Sequence, residues 1–412
     1  MVIIQYYEYL FTIEQDPNSF TTGELASSMI KDAYISGIYG TSSGYIENSS
    51  CMSLHDEAAR GAIRDAGLKP SDIDGVICAY SLTEPHLMLS SWFSEYFGLK
   101  PRLCFSIQAG GATAAIMVMQ AATIVSSGAY RNILVVTGDN RLSGLSRDGA
   151  VAALALVGHP EFERPYGMSV PSAYALVANK YMHEFAVTAE HLGAVSVAMR
   201  KHASRTPGAH KRDPITLKDV TESPLISSPL RLLHCSLISD SAAAMVITSR
   251  KPNADTTKTP VAIIGCGQGH THEHIIAAPS LTSFGCQESA RSAFSEAGIE
   301  PEDIDFVEIY DSFAITLLVE LESMGFFAPG EAGPAALDGA LDIDGRLPCN
   351  THGGLLSHGH SGAAGGMFHF VEAVNQLRGH GNENQVKEPD TALVHGDGGI
   401  LSAHCSIILA RA

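Results

Sequence analysis

Two stretches of the chain carry the same alternation of apolar and polar positions. Residues 57–81 read EAARGAIRDAGLKPSDIDGVICAYS, and residues 288–312 read ESARSAFSEAGIEPEDIDFVEIYDS, so the match runs from 57 to 288, a shift of 231. In each, apolar residues recur at helical spacing, and a glycine (Gly67, Gly298) stands where a helix would stop. A proline-containing turn follows, then an apolar run that predicts a strand over Gly75–Tyr80 and Phe306–Tyr310.

Two further pairs follow in the same order. Gly110-Gly111-Ala112-Thr113-Ala114 opens an apolar segment that reaches Gly128, and Ser361-Gly362-Ala363-Ala364-Gly365 opens another that reaches Gly379. Leu134-Val-Val-Thr-Gly-Asp139 then matches Ala392-Leu-Val-His-Gly-Asp397. Three matched pairs in one order predict a duplicated chain, each half alternating strand and helix around a mixed sheet. The predicted boundaries are an amino-terminal extension over 1–31, a first half over 32–258 and a second over 259–412. Residues 141–232 have no counterpart in the second half. They read as an insertion, with a helix over Ser172–Phe185. The glycine-led helices are apolar nearly all round, which predicts burial between two sheets. Gly265-Cys-Gly-Gln-Gly-His lacks the spacing of a dinucleotide fingerprint and reads as the start of the second half.

Composition changes this picture little. The 412 residues are 45% hydrophobic and 17% charged, as in ordinary globular chains. A net charge of −18 argues against a nucleic-acid partner. No apolar run is long enough to span a bilayer. Eight scattered cysteines, none in a CxxC pair, read as reduced thiols, and with no recognisable signal sequence the chain is expected in the cytoplasm. Arg200, Lys201, Arg205, Lys211 and Arg212 form a basic stretch that reads equally as a phosphate-binding patch or a solvated loop.

The motifs resemble those of the thiolase superfamily. Asn350-Thr-His-Gly-Gly-Leu-Leu-Ser-His-Gly-His360 is similar to its asparagine, Gly-Gly and Gly-His segment. Tyr310-Asp-Ser-Phe-Ala is similar to the Asn-Glu-Ala-Phe box, or to the His-Asp-Cys-Phe box of sterol-carrier-protein-type thiolases. His395-Gly-Asp-Gly-Gly-Ile is similar to the Cys-x-Gly-Gly-Gly-Met segment. The resemblance covers about residues 33–411. It implies an α/β duplicated fold of five layers, α-β-α-β-α, with two buried central helices, and a homodimer. Relatives without a nucleophile often sit beside a small OB-fold, zinc-ribbon partner protein, so such a partner is implied too.

The departures bear on chemistry. The place of the thiolase nucleophile falls at Gly111, and a glycine cannot attack a thioester. Cys104, on the strand before the helix, reads as core. The acid/base cysteine of the last box falls at His395, while the family histidine remains as His360. Tyr310, His360 and His395 are therefore the candidate catalytic groups. They suit proton abstraction and enolate stabilisation on a CoA thioester, as in retro-aldol cleavage, without an acyl-cysteine. Similar steroid side-chain aldolases of the lipid-transfer type use a tyrosine in this way. Gly110 and Gly111 would let a substrate carbonyl approach the helix amino terminus. Asp311 reads either as a substrate contact or as the cap of a helix over Ser312–Met324. His270, first of the run His270-Thr-His272-Glu-His274, reads as pocket lining, with the three histidines on one face if the strand continues. Asp139 and Asp397 read as structural. No cofactor and no metal are expected. The rival functions are a noncatalytic acyl-CoA or lipid carrier and an acyltransferase of the acetyl-CoA acetyltransferase kind with another nucleophile.

Overall fold

The structure, a computed structural model, describes residues 30–250, 259 and 261–412. The predicted amino-terminal extension, 1–31, falls almost wholly outside the described residues.

The repeat is visible strand by strand. Helix α1 (Cys51–Asp65), a turn at Pro70–Asp72 and strand β2 (Gly75–Cys78) recur, at the same shift of 231 for turn and strand, as helix α6 (Cys286–Ala297), a turn at Pro301–Asp303 and strand β9 (Phe306–Ile309). Both strands stop short of the predicted tyrosine ends. Gly67 and Gly298 take left-handed backbone just past the helices, as a stop glycine does. Ahead of α1 lies β1 (Tyr34–Gly40). After β2 come α2 (Leu89–Phe97), β3 (Leu103–Ser106), the apolar helix α3 (Thr113–Ser126) and β4 (Asn132–Asn140). The insertion contributes α4 (Val170–Phe185), α5 (Ala189–Arg205) and a small hairpin of β5 (Leu225–Ser227) and β6 (Leu230–Arg231). β7 (Asp240–Thr248) closes the first half. The second half runs β8 (Val261–His270), α6, β9, α7 (Ala314–Ser323), α8 (Ala363–Arg378), β10 (Thr391–Gly398) and β11 (Ala403–Arg411).

The strands hydrogen-bond in the order β3-β2-β4-β7-β1-β8-β11-β10-β9. Four strands of one half map onto four of the other, β2 with β9, β4 with β10, β7 with β11 and β1 with β8. The halves meet at a narrow seam, where Tyr34 and Ile35 pair with Ala262 and Val261. One core cluster joins α3 and α8 to the inner faces of both halves, and two others fill the outer faces. The layers are therefore α-β-α-β-α with two central helices. The absence of charged residues on α3 is what this position requires, since Thr113 to Val118 are all buried.

The glycines at 265, 267 and 269 have a packing role. A Cβ on any of them would collide with backbone carbonyls of α6 or of Gly285 before it, so the helix lies directly on β8. β8 ends at His270, so the His270–His274 run does not share one strand face. His272 is buried, with Nε2 against the Ile400 carbonyl at 3.0 Å, while His274 bonds through Nδ1 to the Val157 carbonyl at 3.1 Å. The basic stretch is also divided. Arg200 is buried and donates to Ser357 Oγ at 2.9 Å, and Lys201 pairs with Asp342 at 2.7 Å. No helix among the described residues is long and apolar enough to cross a membrane.

Candidate active site

In a parallel α/β arrangement the carboxyl ends of the strands and the amino ends of the helices form the natural ligand edge. Here Tyr80 follows β2, Arg141 follows β4, Tyr310 follows β9 and Asp397 stands at the end of β10. All four line one cavity of about 280 Å³, together with Gly110 and Gly111 ahead of α3 and Gly362 ahead of α8. Both central helices thus point their amino termini into it, which favours a developing negative charge. The insertion supplies an apolar wall through Val170, Pro171 and Tyr174.

Tyr310 and His360 meet in this cavity. The phenol oxygen lies 2.8 Å from His360 Nε2, with the rings perpendicular. Ser236 Oγ holds the other ring nitrogen, Nδ1, at 3.1 Å. The backbone around both residues is fixed. Tyr310 N–H donates to the His395 carbonyl at 3.0 Å, and the Asn350 side chain bonds both polar groups of Ile309, ending β9 in a set direction. The Asp311 carboxylate accepts from the amides of Leu355 (2.6 Å) and Leu356 (3.3 Å), which clamps the tight turn leading to His360. Asp311 thus neither caps α7, which starts only at Ala314, nor lines the cavity. Burial raises its carboxyl to about 7.

Burial, reinforced by Tyr80, pushes the Tyr310 phenol well above its ordinary range, although Arg141 works in the other direction. Burial, with the Arg141 guanidinium adding to it, pushes the His360 imidazole well below its own. The resting pair is a neutral phenol hydrogen-bonded to a neutral imidazole, and the phenol gives up its proton to the imidazole only in concert with gaining one from a substrate group.

Gly111 explains why this pair exists. A Cβ there would run into the Tyr310 ring and the Asp397 carbonyl. The aromatic ring fills the space a nucleophilic side chain would need. The one cysteine among the lining residues is Cys235. Its thiol sits 3.4 Å from the Arg231 carbonyl, and burial pushes it up to about 12, so it is not a thiolate. Neither Cys104 nor Cys349 lines the cavity; Cys104 Sγ packs against Ser94 Oγ at 3.4 Å.

His395 is not brought to Tyr310 and His360. On β10 its side chain turns to the outer face, toward α7 and β11, where Nδ1 meets Ser406 Oγ at 2.8 Å. His270 is exposed at the end of β8 and is not a lining residue either.

Two lining residues, Arg141 and Tyr174, lie outside the sequence motifs, and a third, Asp397, reads there as structural. Arg141 is 2% exposed, its Nε has no hydrogen-bond partner, and among the described residues no carboxylate pairs with it. Tyr174 donates to Asp397 Oδ2 at 2.8 Å, leaving Oδ1 without a partner; burial, with Glu320 adding to it, raises that carboxyl well above the usual range. Asp397 therefore lines the cavity as well as ending β10. The place of Arg141, straight after the repeated Gly-Asp motif, was the available signal.

The thiolase C-terminal domain-like family matches residues 267–411. The acetyl-CoA acetyltransferase of Methanothermobacter thermautotrophicus is 32% identical over 389 residues, covering 91% of this chain and 99% of that protein. A 17-hydroxy-3-oxo-4-pregnene-20-carboxyl-CoA lyase of Mycobacterium tuberculosis is 34% identical over 366 residues, covering 84% and 92%. Among solved structures, an Ltp2-ChsH2(DUF35) aldolase superposes with a TM-score of 0.81 at 33% identity, covering 92% of this chain and 97% of that one. With the duplicated five-layer fold and these full-length relatives, the chain belongs to the thiolase superfamily.

Proposed function

We propose that the chain is a lyase that cleaves the Cα–Cβ bond of a β-hydroxyacyl-CoA by a retro-aldol reaction. The observation that carries this is the 2.8 Å contact between Tyr310 and His360 beside a glycine that leaves no room for a nucleophile. Tyr310 takes the proton of the substrate hydroxyl as it passes its own to His360 Nε2. The Cβ–O bond becomes a carbonyl, the Cα–Cβ bond breaks, and its electron pair moves into the thioester enolate. Arg141 and the two helix amino termini stabilise that enolate, and the proton returns to Cα. The products are an aldehyde or ketone and a shortened acyl-CoA. This chemistry takes no cofactor from the cavity. The lyase and aldolase relatives support the reading, and the apolar wall supports an apolar acyl group.

The acetyl-CoA acetyltransferase relative favours a second reading, acyl transfer. The raised thiol of Cys235 counts against it. The aldolase structure that superposes is an assembly of Ltp2 with ChsH2(DUF35), which supports a small partner protein here. A homodimer is expected from the superfamily, and light scattering measures it. The eight free cysteines support a reducing, cytoplasmic setting.

The test is incubation with β-hydroxyacyl-CoA thioesters, with and without a DUF35-type partner, reading the carbonyl product and the shortened acyl-CoA by mass spectrometry. Loss of general acid–base catalysis is worth about 10²–10⁴-fold, so Tyr310→Phe should lose that much turnover and keep acyl-CoA binding. Full turnover in Tyr310→Phe, or an acyl-enzyme adduct in the wild type, would sink the proposal.

A further inference from the structure

The outer face of β10 carries a second cluster that the proposed chemistry does not use. His395 (β10), His404 (β11) and Glu320 (α7) direct one ligand atom each at a common point, and all three side chains are fully buried. His395 Nε2 lies 3.2 Å from His404 Nδ1, and these nitrogens lie 3.4 and 3.6 Å from Glu320 Oε1.

The surrounding hydrogen bonds fix where the protons are. His404 Nε2 lies 3.0 Å from the Leu401 carbonyl, which can only accept, so the proton is on Nε2 and Nδ1 presents a lone pair. Ser289 Oγ donates to the Cys286 carbonyl at 3.0 Å. Ser406 Oγ, 2.9 Å away, must then donate to Ser289, and His395 Nδ1 must donate to Ser406. His395 Nε2 therefore also presents a lone pair. Neither oxygen of Glu320 has a hydrogen-bond partner. Two imidazole lone pairs and the Glu320 carboxyl group face one another. Such an arrangement is costly unless a cation, or a proton on the carboxyl, stands between them.

The spacing identifies the kind of cation. Zinc bonds of about 2.0–2.1 Å place tetrahedral ligand atoms about 3.3–3.4 Å apart. An octahedral site with bonds of about 2.1 Å would bring them to about 3.0 Å. The observed edges of 3.2, 3.4 and 3.6 Å fit the tetrahedron. The outer hydrogen bonds from each imidazole N–H to a carbonyl or hydroxyl are those that orient metal-bound histidines. The other buried cluster, Glu308 with His352 and His369, differs. Glu308 accepts from Thr351 N–H at 2.8 Å and from His369 at 3.0 Å, so its carboxylate is already satisfied.

We infer that Glu320, His395 and His404 bind one tetrahedral divalent transition cation of the zinc class, with Glu320 as a one- or two-oxygen ligand. None of the three lines the substrate cavity. The cation is structural: it ties α7, β10 and β11 together beneath Asp397, two residues beyond His395. The inference does not depend on the lyase reading.

The experiment is elemental analysis of the full-length wild-type chain grown with added zinc and freed of loosely bound metal. It is paired with the visible spectrum of chain grown on cobalt. About one zinc per chain, together with the strong visible absorption of tetrahedral cobalt, is the expected result. Glu320→Gln and His404→Asn should each lower the zinc content at least tenfold in whatever folded protein is recovered. Wild-type chain with less than a tenth of an equivalent of metal and no cobalt band would overturn the inference. The cluster would then be held by a proton on Glu320. Both wild-type measurements stand even if the variants do not fold.

Discussion

The prediction that tests the site most directly is Gly111→Ala. The added methyl would sit about 1 Å or more inside ordinary contact with the Tyr310 ring and with the Asp397 carbonyl. The carbonyl belongs to β10 backbone, so the ring is the part that yields. Overpacking of this kind costs about 1–3 kcal/mol. At about 2.1 cal/mol/K of unfolding entropy per residue, a chain of 412 residues shifts by about 1.2 °C per kcal/mol, so the Tm should fall by roughly 1–4 °C. A ring displaced by about 1 Å stretches the 2.8 Å Tyr310–His360 contact to about 3.8 Å, beyond hydrogen bonding. A displacement of that size at a reacting group costs about 10²-fold in rate. Calorimetry and the β-hydroxyacyl-CoA assay read the two effects separately. Gly111→Cys should lose stability and turnover as Gly111→Ala does, because its Cβ meets the same ring and the same carbonyl. A Gly111→Ala protein with wild-type Tm and wild-type turnover would refute the steric argument.

Two other outcomes follow from the same geometry. Arg141→Met should lower kcat/KM by about 10²–10³-fold, as loss of a group facing developing charge does, without lowering the Tm, since its Nε is unpartnered and no carboxylate among the described residues pairs with it; an equally active but destabilised variant, by calorimetry and turnover, would mean a structural role. The pH–rate profile should be flat between about pH 8 and 10, above the Asp311 carboxyl near 7, because His360 takes up its proton only well below its ordinary value and Tyr310 loses its own only well above; a break in kcat/KM inside that window would mean that a group other than this pair carries the proton.

The repeat made the fold legible from sequence, because strand and turn positions recur residue for residue at Gly75 and Phe306 and at Pro70 and Pro301. Tyr310 and His360 were legible because each lies in a segment that resembles a thiolase box, Tyr310 at the start of one and His360 at the end of the other. What was not legible depended on which way side chains face. His395 stands one residue from a glycine that packs on the central layer, and only strand register decides that its ring turns outward. Asp311 faces a turn some forty residues further on rather than the helix beside it, which no local pattern records. Tyr174 enters from the insertion, whose path over the cavity has no counterpart in the second half. Asp397 looked structural beside Asp139, yet only its own Oδ1 is left unpartnered.

The narrow seam between β1 and β8 bears on how the protein is made. A ribosome delivers the first half complete through β7 while β8 is still unsynthesised. Until then β1 presents a free edge, and α3 shows bare apolar surface to water where the second lobe and α8 will lie. The nascent intermediate is therefore a natural client for a chaperone. Arrest or truncation anywhere before the last two strands leaves an aggregation-prone lobe rather than a smaller working enzyme.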